Sequence, residues 1–249
     1  MSIIIKSEEE VATMRQAGQI VAMVLQALKL QVKQGIRTEE LDVIAAKELE
    51  KLGAKPSFKG YRGFPATLCV SVNDEIVHGI PGSRVLREGD IVSLDFGAIF
   101  NDFQGDAAIT VGVGKVSSEA KRLMETTEAA LKAGIDAAHA GMRMGDISSA
   151  IQHYAESRGY SVVREYTGHG IGREMHEEPQ IPNFGVPGQG PLLKKGMVFA
   201  LEPMVNIGGW QTKVDDDDWT VLTSDGSLSA HFEHTVAVTD TELEVLTAL

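Results

Sequence analysis

The chain is predicted to form an α+β fold from two similar halves, because one order of sequence patterns occurs twice along it. In each half, two amphipathic helical patterns come first and apolar, strand-like runs follow them. The turn between the two helical patterns repeats, and so does the glycine after the second of them. The matching residues are Gly35-Ile36-Arg37 with Gly141-Met142-Arg143, and Gly53 with Gly159.

The strand-like runs repeat in the same order, and the last residue of each is acidic. One run ends at Asp95 and its counterpart ends at Glu202. Because no linker separates the halves, we predict a single domain of residues 1–249, with halves at about 7–112 and 117–240. The helices should cover the outside of a curved antiparallel sheet, and the two acids should meet near a pseudo-twofold axis.

Capping residues and glycines set the expected helix boundaries. Ser7 and Glu10 form a capping-box pattern that starts the first helix, and Gly35 is expected to end it. The second helix is expected from Thr38 to a C-cap at Gly53. In the second half, helices are expected from 117 or 118 to about 141, and from 146 to 159.

Charge and composition exclude several classes of function. The net charge is −12 and no basic stripe is present, which argues against nucleic-acid binding. No apolar stretch is long enough to cross a bilayer, and no signal peptide is visible. The single cysteine, Cys69, fits a reducing compartment. We therefore expect a cytoplasmic protein, with the acidic run 215–218 in a solvated loop or hairpin tip.

Two aspartates lie on a predicted hairpin. The run from Ile91 alternates so that Asp95 shares a face with Ser93, and Asp106 lies on the return strand. If residues 100 and 101 form the loop, the two aspartates lie directly opposite each other, where like charges are destabilising unless a cation is present. A three-residue loop without a bulge would place them on opposite faces. Two solvated aspartates on an edge hairpin are the alternative.

Two glutamates and a histidine complete the candidate cluster. Glu202 and Glu233 each lie inside an apolar strand-like run, where an acid is rare unless it is paired or binds metal. His231 and His234 are expected on the face opposite Glu233, as structural or exposed residues. His169 lies between glycines that allow a close approach of the backbone.

Together, these residues offer four carboxylates and one imidazole. Carboxylates that converge on buried surface repel each other, and two divalent ions would balance their charge. An oxygen-rich set with one imidazole suits Mn, Fe, Co or Zn. Such a pair of ions can bridge a hydroxide, lower its pKa and clamp a carbonyl for attack.

The same residues carry a resemblance that covers nearly the whole chain: it resembles the type I methionine aminopeptidases, in their short bacterial form. The matching segments are Tyr61-Arg62-Gly63-Phe64-Pro65, Ser71-Val72-Asn73-Asp74-Glu75-Ile76-Val77-His78-Gly79-Ile80-Pro81, Asp95 with Asp106, Thr167-Gly168-His169-Gly170-Ile171-Gly172, His176, Glu202-Pro203 and Phe232-Glu233-His234-Thr235. The resemblance implies the pita-bread fold and the release of N-terminal methionine from nascent proteins and peptides whose second residue is small.

The resemblance also implies roles for the cluster. Asp95 and Asp106 would bind one metal ion, Asp106 and Glu233 would bridge both ions, and His169 and Glu202 would complete the second site. A hydroxide that bridges the ions would attack the first peptide bond. Glu202 would act as general base and shuttle a proton towards the leaving amine.

Further residues match the family's substrate site. His78 and His176 would contact the scissile amide and the developing oxyanion. The pocket for the methionine side chain would be lined by Tyr61, Phe64, Cys69, Met175 and Trp219. A monovalent cation would lie near Asn73, Glu75 and Ser229, as in some relatives. The chain would act as a monomer.

Two positions depart from the family pattern, and two other functions stay open. Gly97 stands where many relatives have threonine, and Met175 replaces a common phenylalanine, so fine specificity is in doubt. A peptidase that cleaves before proline shares the fold but carries a large extra N-terminal domain. A non-catalytic binding module of the same fold would have lost ligands, whereas all five are present here.

Overall fold

The computed structural model describes residues 2–139 and 141–249, which contain four α-helices, a short 3-10 helix at Tyr61–Gly63 and fifteen strands. Met1 and Ala140, which the predicted domain includes, lie outside the described residues. The helices are α1 (Glu8–Lys29), α2 (Thr38–Lys51), α3 (Ser118–Asp136) and α4 (Met144–Glu156). The strands of the first half are β1 (Lys55–Pro56), β2 (Leu68–Val72), β3 (Glu75–Val77), β4 (Ile91–Phe100) and β5 (Phe103–Gly112). Those of the second half are β6 (Ser161–Val162), β7 (Thr167–Gly170), β8 (Glu177–Pro182), β9 (Val198–Leu201), β10 (Met204–Asn206), β11 (Thr212–Val214), β12 (Val221–Thr223), β13 (Ser229–His231), β14 (Glu233–Val238) and β15 (Leu243–Val245).

The first three helices start where the sequence predicts, but three helix ends lie before their predicted positions. Helix α4 runs from Met144 to Glu156, whereas residues 146–159 were predicted. The Ser7 hydroxyl accepts from Glu10 N at 3.2 Å, and the Glu10 carboxylate accepts from Ser7 N at 3.0 Å. The prediction that α1 ends at Gly35 is wrong, since the helix stops at Lys29. Gly35 instead makes a left-handed turn with φ 92° and donates to the Leu86 carbonyl. In the same way, α3 ends at Asp136, short of Gly141.

The equivalent turns of the two halves have the same local structure. Gly35 and Gly141 have φ values of 92° and 91°, which a residue with a Cβ rarely adopts. Arg37 and Arg143 then form the N-caps of α2 and α4, and the backbone N–H of each donates at 2.8 Å to the carboxylate of the acid three residues later, Glu40 or Asp146. Each arginine also forms an isolated antiparallel β-bridge with a loop residue: Arg37 pairs with Val85, and Arg143 pairs with Leu192. The sequence repeat therefore corresponds to a structural repeat.

The two halves join in one nine-stranded sheet of order β1-β4-β5-β14-β9-β7-β8, with β2 also paired to β4 and β15 to β14. The pairs within it are antiparallel, and β5 of the first half lies beside β14 of the second. A separate hairpin of β11 and β12 carries the exposed acidic run 215–218 at its tip, as predicted. The centre of the large sheet is thus the junction between the halves.

Each half has its own apolar core between its helices and the sheet. In the first half, Val21 of α1 and Leu41 of α2 share one buried cluster with Leu94 and Phe96 of β4. In the second half, the cluster contains Leu123, Ile147, Phe199 and Leu201. Leu94 and Phe96 point to the face of the sheet that the helices cover. Because side chains alternate along a strand, Asp95 points to the opposite face. None of the helices within the described residues has both the length and the apolar character that a membrane crossing requires.

Candidate active site

The five predicted ligands lie on adjacent strands at the centre of the sheet. The strands β4, β5, β14, β9 and β7 are neighbours in that order. In the same order, they carry Asp95, Asp106, Glu233, Glu202 (directly after the last residue of β9) and His169. Three of these ligands are also close in space, since donor atoms of Asp106, His169 and Glu233 lie within 4.8 Å of one another. The sheet therefore brings together acids that are far apart in the sequence.

The hairpin places the two aspartates on one face, although not directly opposite each other. Phe100 pairs with Phe103, so the loop residues are Asn101 and Asp102, with φ values of 48° and 65°. Positive φ at both positions is the requirement of a type I′ turn. The predicted loop of residues 100 and 101 is therefore wrong by one position.

This register makes the aspartates diagonal neighbours. Asp95 pairs with Ala108, and Asp106 pairs with Gly97. Residues at i and j−2 of an antiparallel pair share a face, so both carboxylates point to the same side of the sheet. The predicted common face is confirmed, while the predicted opposite pairing is wrong.

Thr235 fixes the backbone on which Asp106 lies. Its hydroxyl accepts from Asp106 N at 3.0 Å and donates to the Asp106 carbonyl at 2.8 Å. Glu233 lies two residues before Thr235 and pairs with Ala108. Asp95, Ala108 and Glu233 thus form one row across β4, β5 and β14.

The glycines beside His169 permit close strand contacts. A Cβ at Gly168 would collide with the Ala200 carbonyl, and one at Gly170 would collide with the Glu178 carbonyl. The ring Nδ1 of His169 lies 2.9 Å from the Gly170 carbonyl, so Nδ1 carries the proton. The unprotonated Nε2 then faces Glu202 Oε1 at 3.6 Å. This is the orientation that a metal-binding imidazole needs.

Burial favours the protonated forms of all four carboxyls, and repulsion between charges adds to this effect at Asp95, Glu202 and Glu233. Burial raises the pKa of Asp95 well above its usual value, and the charges of Asp106 and Glu202 raise it further. The pKa values of Glu202 and Glu233 are raised for the same two reasons. Burial also raises the pKa of Asp106, although hydrogen bonds partly oppose that shift. All four acids would ionise more readily beside a cation.

Several buried oxygens in the cluster lack hydrogen bonds. Asp95 Oδ1, Asp106 Oδ1 and Glu233 Oε1 have no partner within residues 2–139 and 141–249. Buried acceptors of this kind are normally satisfied, and an unpaired buried carboxylate is costly. Oxygen donors beside a neutral imidazole are suitable ligands for divalent first-row metals. The residues present therefore fit a divalent metal site.

Two further histidines border the cluster. The Tyr61 hydroxyl lies 2.8 Å from His176 Nδ1, and the two rings stack at 5.4 Å. His78 has a left-handed backbone with φ 62° and packs edge-on against Tyr166. Burial lowers the pKa of His78 to about 4, and burial followed by the Arg62 charge lowers the pKa of His176. Both imidazoles are therefore neutral at neutral pH.

One cavity of about 140 Å³ contains the cluster and the predicted pocket. Its apolar walls come from the predicted residues Tyr61, Phe64, Cys69, Met175 and Trp219. The five candidate ligands line the same cavity, and so do His78 and His176. Apolar side chains and the acidic cluster therefore face one shared cavity.

The hairpin tip fixes one wall of this cavity. Asp217 in the acidic run accepts from Trp219 N at 2.8 Å and from Thr220 N at 2.7 Å. The Trp219 ring then packs edge-on against Phe64 with centroids 5.2 Å apart. The acidic run is exposed, yet one of its carboxylates positions a pocket residue.

Two cavity residues were not predicted. Phe58 and Arg62 line the cavity, and Arg62 lies over the Tyr61 ring at 5.4 Å. A Cβ at Gly97 would lie 2.9 Å from Phe58 Cε1 and 2.8 Å from Ser57 Cβ. In this chain, Phe58 thus occupies the space that a larger residue at position 97 would need. The departure at Gly97 was the only sequence signal for this arrangement.

The prediction for His231 is wrong, because it lies on the same side as Glu233. Its Nε2 is 3.7 Å from Glu233 Oε2, and its side chain is buried. Residues two apart in a strand share a face, so the alternation of side chains predicts this arrangement when it is applied correctly. His234 does lie on the other side, where Nδ1 is 2.8 Å from the Thr247 hydroxyl.

The region of the predicted monovalent cation is held by hydrogen bonds within the protein. Ser229 N donates to the Asn73 carbonyl at 2.9 Å. The Glu75 carboxylate accepts from Val72 N at 2.7 Å and pairs with Arg84. The monovalent cation stays a prediction.

The sequence pattern of one peptidase family spans most of the chain. The pattern described as metallopeptidase family M24 matches residues 12–240. The chain belongs to metallopeptidase family M24. It is therefore a metal-dependent hydrolase of peptide bonds and binds divalent metal, as the acidic cluster predicts.

Named relatives are similar over their full length. Methionine aminopeptidase 1 of Bacillus subtilis is 54% identical over 245 residues, which cover 98% of this chain and 99% of the relative. A methionine aminopeptidase of Clostridium perfringens is 53% identical over 247 residues, with 99% of each chain covered. The predicted resemblance to methionine aminopeptidases is thereby confirmed.

Solved structures agree with the predicted fold class. A methionine aminopeptidase from Thermotoga maritima superposes with a TM-score of 0.98 at 44% identity and covers both chains completely. A prolidase from Pyrococcus furiosus shares the fold at 24% identity, with a TM-score of 0.79, but this chain covers only 66% of it. The predicted α+β pita-bread fold is confirmed, and the prolidase likeness concerns the fold alone.

Proposed function

We propose that this chain removes the N-terminal methionine from peptides and nascent proteins whose second residue is small. The observation that carries this proposal is the cavity that apolar side chains share with the five convergent ligands. A linear thioether side chain suits such a cavity, and its peptide bond would then lie over the acidic cluster. Membership of the family and the full-length similarity to methionine aminopeptidases support the same activity.

Two divalent ions would occupy the cluster. Four ionised carboxylates carry a charge that two such ions would balance, and the ligands are spread over five strands. Asp95 and Asp106 would hold one ion, Asp106 and Glu233 would bridge both, and His169 and Glu202 would complete the second site. When bound, Co, Mn, Fe or Zn would lower the pKa of a coordinated water and polarise the scissile carbonyl.

Glu202 would act as the general base. It lies directly after β9, lines the cavity and faces the unprotonated Nε2 of His169 at 3.6 Å. A cation beside this carboxylate favours its ionised form, so it can accept a proton at neutral pH. Glu202 would then pass that proton to the leaving amine.

His176 and His78 would orient the scissile peptide. In the proposed tautomer, the Tyr61 hydroxyl would donate to Nδ1 of His176, and the protonated Nε2 would donate to the developing oxyanion. The lowered pKa values keep both imidazoles neutral, so each ring can donate one hydrogen bond without adding charge. His78, which also lines the cavity, would contact the scissile amide.

The substrate slot would discriminate by size at the second residue. Tyr61, Phe64 and Trp219 would contact the methionine side chain, together with the buried Cys69 and Met175. His176, stacked on Tyr61, would lie beside the second residue and limit its size. We propose that the enzyme acts as a monomer in the cytoplasm.

A peptide assay tests the proposed function. The chain should release methionine from Met-Ala-Ser and leave Met-Lys-Ser intact, after addition of Mn, Co, Fe or Zn in separate reactions. Methionine release is measured by chromatography, with chelated protein as the control. Absence of cleavage of both peptides with all four metals would contradict the proposal, and equal cleavage of both would contradict the size limit.

A further inference from the structure

The His231 side chain is buried at the metal centre without hydrogen bonds. Neither ring nitrogen has a partner within the described ranges 2–139 and 141–249, although the side chain is only 1% exposed. Buried imidazoles are normally hydrogen-bonded, because an unsatisfied polar atom is costly in the protein interior. The Nε2 to Glu233 Oε2 distance of 3.7 Å is too long for a hydrogen bond. Something else is needed to satisfy this ring.

The neighbours of His231 are carboxylates of the metal centre. Three potential ligand atoms lie within 4.8 Å of one another, one from each of Asp95, His231 and Glu233. Two ligands bound to one ion at about 2.1 Å cannot be more than about 4.2 Å apart, so a shift of a few tenths of an ångström would close the set. The spacing therefore fits a shared ion.

This set has a counterpart in the rest of the cluster. Asp106, His169 and Glu233 form a second group of three with the same distance limit. Each group has two carboxylates and one imidazole, and both contain Glu233. The cluster thus contains two three-ligand groups that share Glu233, and Glu202 lies outside both groups.

The backbone of His231 is fixed on both sides. The Thr110 hydroxyl accepts from His231 N at 2.9 Å and donates to the His231 carbonyl at 2.7 Å. Ser93 lies 2.9 Å from the same hydroxyl. Strand β13 ends at His231 and β14 begins at Glu233, and the side chain of the intervening Phe232 joins the apolar core. This arrangement holds the ring in position for a ligand.

We propose that His231 is a sixth protein ligand, which supplies an imidazole nitrogen to the ion held by Asp95 and Glu233. The assignment rests on the proposed dinuclear centre. With His231 as a ligand, each ion has one imidazole. Both sites are therefore predicted to bind metals with a high affinity for nitrogen more tightly than they bind Mg or Ca. A single imidazole in the cluster would provide that preference at one site only.

Cobalt binding to the metal-free chain tests the assignment. Calorimetric titration of the parent chain with Co²⁺ should resolve two ions, and His231→Gln should weaken one of them by about 10- to 100-fold. The visible absorption of bound Co²⁺ should change in intensity as well, because a ligand nitrogen is lost. His234→Gln is the matched control, since this neighbouring histidine contacts Thr247 instead, and it should bind both ions as the parent does.

The outcomes separate this inference from the proposed function. If His231→Gln binds both ions with the parent's affinities and spectrum, the assignment is overturned and the dinuclear centre stands. If the parent binds no Co²⁺, the centre itself is overturned and the assignment with it. X-ray absorption of the unsubstituted protein with two Co²⁺ bound needs no variant: about one imidazole per ion supports the assignment, and one imidazole for two ions contradicts it.

Discussion

Glu202 is both a buried carboxyl and the proposed general base. It follows an apolar strand, so burial raises its pKa, and the charge of Asp106 raises it further. Without cations this carboxyl holds its proton, whereas beside cations it ionises and can act as a base. The same burial that disfavours the charge therefore makes metal binding necessary for its role.

Replacement of Glu202 tests that role. Glu202→Ala should lower kcat for Met-Ala-Ser by at least about 10²-fold, because both a ligand and the proposed base are removed. The fold should persist, since the variant removes a buried carboxyl that lacks a compensating cation in the metal-free protein. Circular dichroism and the turnover rate are the measurements.

Glu50→Ala is the matched control for this variant. Glu50 is an exposed glutamate of α2, away from the cavity, so its loss should leave kcat unchanged. Full activity of Glu202→Ala would remove Glu202 from the mechanism.

Residue identity predicted the ligands better than it predicted their geometry. Acids in apolar runs were a strong signal, because burial without a partner is costly, and Asp95, Glu202 and Glu233 do lie in the cavity. Phe58 gave no such signal, since an apolar residue in a loop fits a core equally well. Its place in the cavity depends on the space above Gly97, which only the folded structure defines.

At the scale of elements, the precise register of a strand pair determines what the ligands can do. The observed β4–β5 loop lies one position later than the predicted loop. Asp95 and Asp106 are therefore diagonal neighbours instead of directly opposite each other. Turn type sets that register, and a type I′ turn needs positive φ at both loop residues, which Asn101 and Asp102 tolerate and Phe100 does not. The hairpin was therefore predictable from the sequence, and its exact pairing would have followed from these turn preferences.

The β7 strand offers a test of element geometry. Gly170→Ala should place a Cβ against the Glu178 carbonyl and push β7 away from β8, which displaces His169. Overpacking of this kind costs about 1–3 kcal/mol. We expect a lower melting temperature and weaker binding of one metal ion, measured by thermal denaturation and titration.

Gly82→Ala provides the comparison, because a Cβ there would have only the Ile80 carbonyl within reach, at 4.0 Å. Gly82→Ala should leave the melting temperature and the metal affinity near the parent values. Unchanged metal binding in Gly170→Ala would mean that the close contact of β7 and β8 does not position His169.

At the scale of the whole molecule, the site lies where the two halves share a sheet. Each half packs its helices on a separate core, and β5 and β14 join the halves through the row that contains Glu233. The sequence repeat predicted this arrangement because Asp95 and Glu202 end equivalent runs. We propose that the halves act as one domain whose stability depends on the cations between them.

The sign of this dependence follows from the raised pKa values. Groups with raised folded-state pKa values stabilise the metal-free protein at acid pH, where Asp95, Glu202 and Glu233 are protonated. That stabilisation is lost as the pH rises from about 4, the usual carboxyl pKa, through the raised values. Bound cations compensate for this loss, so their removal matters most at neutral pH.

Thermal denaturation with and without a chelator is the most direct test that the carboxylates converge on metal. At neutral pH, chelation should lower the melting temperature by on the order of 10 °C, since saturating ligand contributes about 4 kcal/mol. At about pH 5 the difference should be smaller, because protons then replace the cations. An equal melting temperature with and without chelator at neutral pH would contradict the account.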